Sequence, residues 1–385
     1  MLKYENTVAV LGSTGSVGTQ ALEVAEHLGM KVSLLVAGSN ISKMEEQARK
    51  FHPSVCVMQS EAAAARLRTA LRDTDSKVFG GENALADAIA NDPSHTVLHS
   101  ISGCAGLAPA MTAARCGKRI AMANKEAIVI AGDMLHAEIK ANGAELIPVD
   151  SEHSAIFQCL KGNHHAEVSR LWLTASGGAF RGKKREDLAH MTAKEALAHP
   201  TWRMGPKITV DSASLMNKGF EVIEAVRLFG VRPDQVKVVV QPESIIHSMV
   251  EYIDNAVIAQ IGAPDMRECI QYAFTYPNRC PSLAEKLDFA KLAALHFAEP
   301  DTDTFRLLPL AFYAIEQDGV LPCVLNAADE VAVDAFLHDK LGFLGIMDVV
   351  EQVVTSWKNH TPTSLEDLFA VDREARAVTA KQIGG

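Results

Sequence analysis

Long apolar runs are absent. Nowhere among the 385 residues do about 18 or more uncharged apolar residues follow one another, the length a helix needs to cross a bilayer. Basic charge is in deficit: 37 Lys and Arg stand against 47 Asp and Glu, a formal net charge of −10. Such a balance makes no field that would gather nucleic acid or anionic lipid. Cysteine is sparse, and the seven (Cys56, Cys104, Cys116, Cys159, Cys269, Cys280 and Cys323) form no CxxC and are odd in number. That pattern lacks zinc-ligand spacing and fits reduced, mostly core thiols in a cytoplasmic protein. No internal repeat or low-complexity segment occurs. The stretch Met1–Asn6 leads straight into a strand pattern and leaves no room for a signal peptide. What remains is an ordinary globular composition, 48% apolar and 22% charged, long enough for sizeable cores and, at about 150 residues each, two or three domains.

The first 150 or so residues alternate short apolar runs with helical spacing. Thr7–Leu11, Val32–Val36, Val55–Met58, Thr96–His99, Arg119–Met122 and Glu145–Val149 read as strands. Thr19–Leu28, Ile41–Lys50, Ala84–Ala90, Leu107–Cys116 and Gly132–Asn142 read as helices between them. This alternation predicts a doubly wound, Rossmann-like parallel sheet, an α/β fold. Beyond residue 150 the pattern changes. Leu171–Thr174, Ile208–Val210 and Val236–Gln241 are strand-like, and Ser248–Ile253 and Ala256–Ile261 form a hairpin about Asp254-Asn255. A central α+β domain is expected there. After a Pro-containing stretch, Tyr276–Pro300, helical spacing over Thr304–Gln317, Asn326–His338, Ile346–Lys358 and Asp372–Ile383 predicts a C-terminal helical domain.

Gly12-Ser13-Thr14-Gly15-Ser16-Val17-Gly18 sits directly after the first strand and opens a helix. Glycines let the backbone turn tightly and approach a pyrophosphate, and the helix N-terminus presents N–H groups to the anion. The spacing is GxxGxxG rather than GxGxxG, and a plain strand–helix turn also selects glycine, so the flanking strand and helix carry the reading. An NAD reader places a carboxylate after the second strand. Here Ala37-Gly38-Ser39-Asn40 has none, so NADP is favoured, although no Arg is adjacent to clamp its phosphate.

Two acidic clusters follow. Asp150-Ser151-Glu152-His153 comes after the Glu145–Val149 strand, at the end of the sheet where such folds place ligands. Extended backbone would aim Asp150 and Glu152 the same way. Two converging carboxylates repel unless a proton or cation lies between them, and oxygen ligands suit Mg²⁺ or Mn²⁺. A charged boundary loop is the plainer alternative. In the second cluster, Asp211–Glu221, Asp211 is expected to end a strand, and Ser212 or Ser214 to cap the following helix. Asn217 and Glu221 then share a face with Lys218 beside them. These types suit a phosphate and a third carboxylate ligand, or simply an N-capped surface helix. A glycine at 219 inside a helix costs about 1 kcal/mol, easier to accept at a site than on a plain surface. Between the clusters, Ser176-Gly177-Gly178, the basic run Arg181–Arg185 and His199–Pro206 with Trp202 suit a lid, or a solvated loop whose Trp packs on the core. His247 and His296 are left unassigned.

Taken together, Gly12–Gly18, Ala123-Asn124-Lys125-Glu126, Pro148–His153, Thr174–Gly178, His199–Pro206, Asp211–Glu221 and Pro264-Asp265-Met266-Arg267 resemble the 1-deoxy-D-xylulose-5-phosphate reductoisomerases, in order and over essentially the whole chain. The resemblance implies an NADPH-dependent oxidoreductase and isomerase. It would rearrange 1-deoxy-D-xylulose 5-phosphate and reduce the aldehyde to 2-C-methyl-D-erythritol 4-phosphate, in non-mevalonate isoprenoid biosynthesis. It implies domains at 1–150 (NADP-binding), 151–275 (catalytic, with a lid at about 176–206), a linker at 276–300 and a helical domain at 301–385. Asp150, Glu152 and Glu221 would hold Mg²⁺ or Mn²⁺. Ser176, Ser212, Asn217 and Lys218 would take the phosphate. Lys125, Ser151 and His199 would contact the substrate near the reacting centre, and Trp202 would close over it. Thr14, Gly15, Ser16 and Val17 would cradle the pyrophosphate, Gly38, Ser39 and Asn40 the adenosine ribose, and Asn124, Glu126 and Gly205 the rest of NADPH. Family members often carry a basic residue where this chain has Ser39. A homodimer in the cytoplasm is implied, with no nucleic-acid or membrane partner. Two other readings are a non-catalytic dinucleotide sensor with a structural acidic cluster, and a plain dehydrogenase indifferent to chelators.

Overall fold

Val8, Ala9, Val10 and Leu11 are all fully buried. An unbroken apolar run of this kind marks a central strand of a parallel sheet covered on both faces. It is β1 (Thr7–Leu11), followed by β2 (Lys31–Ala37), β3 (Val55–Met58), β4 (Lys77–Gly80), β5 (Thr96–His99), β6 (Arg119–Met122) and β7 (Glu145–Pro148). The seven strands are parallel, in the order β4-β3-β2-β1-β5-β6-β7. The order reverses between β1 and β5, and a doubly wound sheet binds its ligand at the carboxyl ends of such a pair. The structure, a computed structural model, describes residues 6–384. Met1–Glu5, where the reading against a signal peptide begins, and Gly385 lie outside the described residues.

The chain divides into two compact units. The first takes residues 1–127, 133–154 and 265–285, and the second residues 128–132, 155–264 and 286–385. Residues 265–285, read from the sequence as the end of a central domain and the start of a linker, are counted with the first unit. There the Met266–Thr275 helix packs on the Ser16–His27 helix, and Arg267 joins Asp265 at 2.6 Å and Glu23 at 3.4 Å.

The second unit holds β8 (Val168–Ala175), β9 (Val236–Val240), β10 (Ile246–Tyr252) and β11 (Val257–Ile261). They form a mixed sheet in the order β11-β10-β8-β9, with β8 and β9 parallel and the rest antiparallel. The expected hairpin is β10–β11. The expected tail helices are Leu307–Gln317, Leu321–Leu337, Phe343–Ser356 and Leu365–Gly384. The fold is thus a Rossmann-like parallel sheet with helices, a second mixed sheet and a helical C-terminal region.

Two local expectations fail. Ile208–Val210 is not a strand but lies inside a helix, Pro206–Ser214, which Asp211 continues rather than follows. Three β-branched residues suggested extended chain, but Pro206 at the first helical position presets the helical φ, and burial of Thr209 and Val210 overrides propensity. Asp150 and Glu152 are not on extended backbone either. β7 ends at Pro148 and a helix, Ser151–Leu160, starts at once. The two carboxylates therefore sit at a helix N-terminus, whose positive end favours negative charge. None of the seven cysteines forms a disulfide. Four (Cys56, Cys159, Cys269 and Cys323) are buried and Cys116 is exposed, so the core expectation holds for four. Among the described residues no helix is long and apolar enough to cross a membrane.

Candidate active site

The glycine loop is shaped by backbone crowding. Gly12 has φ +85°, and its N–H and that of Ser13 both donate to the Val36 carbonyl, at 2.9 and 2.8 Å. A Cβ at Gly12 would meet Ser100 O at 2.5 Å, and one at Gly18 would meet Gly12 O at 2.3 Å. Only glycine allows the Ser16–His27 helix to start this close to β1. Gly15 is the helix N-cap and makes no side-chain cap. Thr14 and Val17 are half-buried, and Gly15 and Ser16 are exposed. The loop thus leaves an open, uncapped helix N-terminus at the carboxyl end of β1. Gly38, Ser39 and Asn40 form an exposed turn after β2, where Asn40 caps the Ile41–Phe51 helix by accepting from Lys43 N at 3.1 Å.

Asn124 does the same for the Lys125–Asn142 helix, with its Oδ1 accepting from Ala127 N at 2.8 Å. Its Nδ2 donates to the carbonyls of Ile101 and Gly103, at 2.7 and 3.0 Å, and to Glu126 at 3.0 Å. The 2% exposed side chain thereby ties the loop after β5 to the start of the helix that carries Lys125. Lys125 Nζ lies 2.5 Å from Asp150 Oδ2, with both side chains largely buried. Ser151 Oγ donates to Glu152 at 2.5 Å, and the buried His153 Nδ1 lies 3.9 Å from Asp150. The first unit therefore presents an ammonium, two carboxylates and a hydroxyl at the carboxyl end of its sheet.

In the second unit, Ser176 follows β8. Gly177 and Gly178 both have positive φ, and a Cβ at Gly178 would come 2.3 Å from Ser212 O. The glycine pair is needed for this close approach, which brings the end of β8 against the Pro206–Ser214 helix. His199 Nδ1 accepts from the N–H groups of Thr201 and Trp202, at 3.2 and 2.9 Å. The proton of the neutral ring is therefore on Nε2, which donates to Ser176 Oγ at 3.0 Å. Burial holds the His199 pKa below the ordinary histidine range. That oxygen also accepts from Gly178 N at 3.2 Å, which leaves the Ser176 hydroxyl proton to donate elsewhere. The Trp202 ring lies 6.2 Å from that of His247.

Gly205 is the N-cap of the Pro206–Ser214 helix, which bears Ser212 in its last turn. Leu215, at φ +61°, breaks the chain direction, and Met216–Phe229 follows as a second helix. Neither serine caps it in the expected way: its N-cap is Leu215, and Ser214 Oγ only accepts from Met216 N at 3.4 Å. Asn217 and Glu221 share a face as read, with Nδ2 to Oε1 at 2.5 Å, and Lys218 Nζ is bonded to the other Glu221 oxygen. Lys218 and Glu221 are almost wholly buried, so the plain surface-helix alternative falls. The glycine at 219 has a packing reason. A Cβ there would come 2.7 Å from that of Ala311, so the residue serves the fit of the Leu307–Gln317 helix rather than a ligand.

The chain matches three family models: 1-deoxy-D-xylulose 5-phosphate reductoisomerase over residues 8–132, its C-terminal domain over 146–229, and DXP reductoisomerase C-terminal domain over 261–378. It is 50% identical over 373 residues to the 1-deoxy-D-xylulose 5-phosphate reductoisomerase of Phocaeicola vulgatus, covering 96% of this chain and 97% of that one. The chain belongs to the 1-deoxy-D-xylulose 5-phosphate reductoisomerase family. Another member, from Caldanaerobacter subterraneus, is 49% identical over 95% of this chain and 96% of that one. Among solved structures, the Zymomonas mobilis reductoisomerase in complex with NADPH superposes with a TM-score of 0.92 at 39% identity, each chain covered in full. A DOX-P reductoisomerase in complex with NADPH, fosmidomycin and magnesium gives 0.93 at 36% identity, with 98% of each chain covered.

Within this family fold the donors present suit both groups carried by those relatives. The glycine loop leaves a helix N-terminus without a side-chain cap, which suits a pyrophosphate, and the carboxylates offer the hard oxygen ligands that Mg²⁺ selects. The sequence reading gave no site role to three residues. His153, a buried neighbour of Asp150, had only its place in the Asp150–His153 run to signal it. Lys207 and Asp211, paired at 2.7 Å and spaced i,i+4, flank the Ile208–Val210 segment misread as a strand.

Proposed function

We propose that Asp150, Glu152 and Glu221 hold the divalent cation of the family's reaction, the NADPH-dependent conversion of 1-deoxy-D-xylulose 5-phosphate to 2-C-methyl-D-erythritol 4-phosphate. The observation that carries this reading is the buried Lys125–Asp150 pair at the carboxyl end of a parallel sheet, in a chain matched to the family along its length. When bound, Mg²⁺ or Mn²⁺ acts as a Lewis acid on the substrate's carbonyl and adjacent hydroxyl oxygens, and NADPH supplies the hydride.

The chain's own side chains bind and orient. Lys218, Asn217, Ser212 and Ser176 receive the substrate phosphate, with Lys218 giving a charge-assisted bond from a desolvated position. His199, kept neutral with its proton on Nε2, orients the Ser176 hydroxyl as a donor. Lys125 and Ser151 place donors near the reacting carbons, and Trp202 covers the substrate and excludes water. Thr14, Gly15, Ser16 and Val17 take the pyrophosphate, and Gly38, Ser39 and Asn40 lie along the adenosine ribose. Asn124, Glu126 and Gly205 complete the NADPH contacts. The Asn124 side-chain amide and its backbone N–H are already engaged, so that residue contributes through its backbone carbonyl.

The working form is a homodimer. β11 is the edge of its sheet, and Ile253 of the hairpin turn with Val257, Ile258 and Ile261 of β11 is exposed there. An apolar open edge of this kind is covered by a second copy. Seven cysteines with no disulfide among them support a cytoplasmic location.

Purified protein mixed with substrate, NADPH and Mn²⁺ should oxidise NADPH, followed at the reduced-nicotinamide band, and chelator should abolish this reversibly. Glu221→Gln should lower kcat at least about 100-fold, about 2.7 kcal/mol of transition-state stabilisation, with NADPH affinity unchanged. Oxidation that persists in chelator sinks the reading.

A further inference from the structure

Asp329 lies in the Leu321–Leu337 helix, fully buried among Ala328, Ala332 and Val333. An aspartate in such surroundings is held there by a partner or is very costly. Its Oδ2 is 2.7 Å from Lys207 Nζ, and the same ammonium is 2.7 Å from Asp211 Oδ2. Asp211 is also buried, and the Phe220 ring faces the ammonium at 4.6 Å. Two buried carboxylates therefore converge on one ammonium. Lys207, which joins both acids, lies in the first turn of the Pro206–Ser214 helix, and Asp211 lies next to Ser212 on the same helix. The helix begins just after the His199–Trp202 turn and ends at the Leu215 break before Asn217 and Lys218.

We propose that Asp329 is a positioning residue for the phosphate-binding segment, clamping the Pro206–Ser214 helix through Lys207, which also holds Asp211, so that Ser212 and the Asn217–Lys218 turn are presented in one place. This rests on the reading that Ser212, Asn217 and Lys218 receive the phosphate. The geometry supports it. One ammonium joins Asp329, on a distant helix, to Asp211, so the tie spans the turn of the Pro206–Ser214 helix that separates Lys207 from Asp211. Burial pushes the Asp329 pKa up, and the Lys207 ammonium opposes that. Glu330, a charged neighbour of Asp329, is turned onto Arg376 at 2.7 Å.

The roles are separable by substitution. Asp329→Asn keeps an acceptor for Lys207, so its substrate KM should stay within about twofold of the parent protein. Asp329→Leu keeps the volume and removes that acceptor. Its substrate KM should rise at least about tenfold, with kcat within about twofold and the NADPH KM unchanged, the pattern of lost ground-state binding. A folded Asp329→Leu protein with the parent KM overturns the proposal, as does an Asn variant as impaired as Leu. If Asp329→Leu does not fold, Lys207→Gln, at a site 29% exposed, must raise KM in the same way, and an unchanged KM overturns the proposal. Lys218→Ala is measured alongside. An unchanged KM there refutes the phosphate reading itself, whereas a raised KM there with a normal Asp329→Leu KM refutes only the clamp.

Discussion

Replacing Lys218 by Met tests the physical state of the Glu221 carboxylate directly. Lys218 and Glu221 are 4% and 1% exposed at their side chains, so neither is screened by water. Removing one partner of a buried ion pair leaves an uncompensated charge and costs about 3–5 kcal/mol. Asn217 still donates to Glu221, which puts the expected loss at the lower end, about 3 kcal/mol. The double variant Lys218→Met with Glu221→Gln removes both charges and should lose only about 1 kcal/mol, because the desolvation penalty goes with them. Glu221→Gln alone leaves the buried ammonium without its carboxylate and should lose about 2 kcal/mol, so the cycle gives a coupling near 4 kcal/mol. Urea unfolding followed by tryptophan emission reads this cleanly. Trp172, Trp202 and Trp357 all lie in the second unit, so the signal reports the unit that contains the pair. A single-variant loss under about 0.5 kcal/mol, or a double variant equal to the sum of the singles, would show that the pair is not desolvated and that the argument is wrong.

Two further outcomes follow from the geometry. The His199 pKa is depressed by burial, so the folded state binds fewer protons than the unfolded state as pH falls below the ordinary value of about 6.5. Stability from this group is therefore present above that pH and is lost on acidification. A proton on Nδ1 would also set a donor against the Thr201 and Trp202 N–H donors, so substrate KM should rise only as pH falls through that depressed pKa, below the ordinary histidine value. An NMR titration of the ring with a midpoint at or above 6.5 contradicts this. Gly18→Ala places a Cβ 2.3 Å from Gly12 O, a backbone atom that cannot swing away. It should cost about 2 kcal/mol of stability and at least tenfold in NADPH affinity, read by nicotinamide fluorescence; normal affinity would mean that the loop does not hold the cofactor.

The parallel sheet was legible from sequence because each strand–helix unit carries its own period. Buried central strands are continuous apolar runs and the helices between them are amphipathic. The Gly12–Gly18 loop was legible for a similar reason, since its backbone crowding is met within a few residues of chain and one close strand. The Ile208–Val210 segment was misread because β-branched propensity is weak and burial in a helix overrides it. The start of the Ser151–Leu160 helix was missed because Asp, Ser and Glu at a strand end look like a loop, although the same types favour a helix N-terminus. Gly219 was credited to a ligand because its true neighbour, Ala311, is remote in the chain.

The sequence by itself determined which chemistry the chain can offer: carboxylates after β7, an amide, an ammonium and an acid within one turn near residue 220, and glycines that let a helix start close against β1. Those are covalent facts and short-range spacings, and folding does not alter them. Only the tertiary structure decided the electrical state of these groups. Whether Lys218 is a solvated cation or a buried partner of Glu221, whether His199 keeps its proton on Nε2, and whether Asp329 meets Lys207 depend on which distant segments exclude water from them. That exclusion is a property of packing between residues far apart in the chain, and no local pattern encodes it.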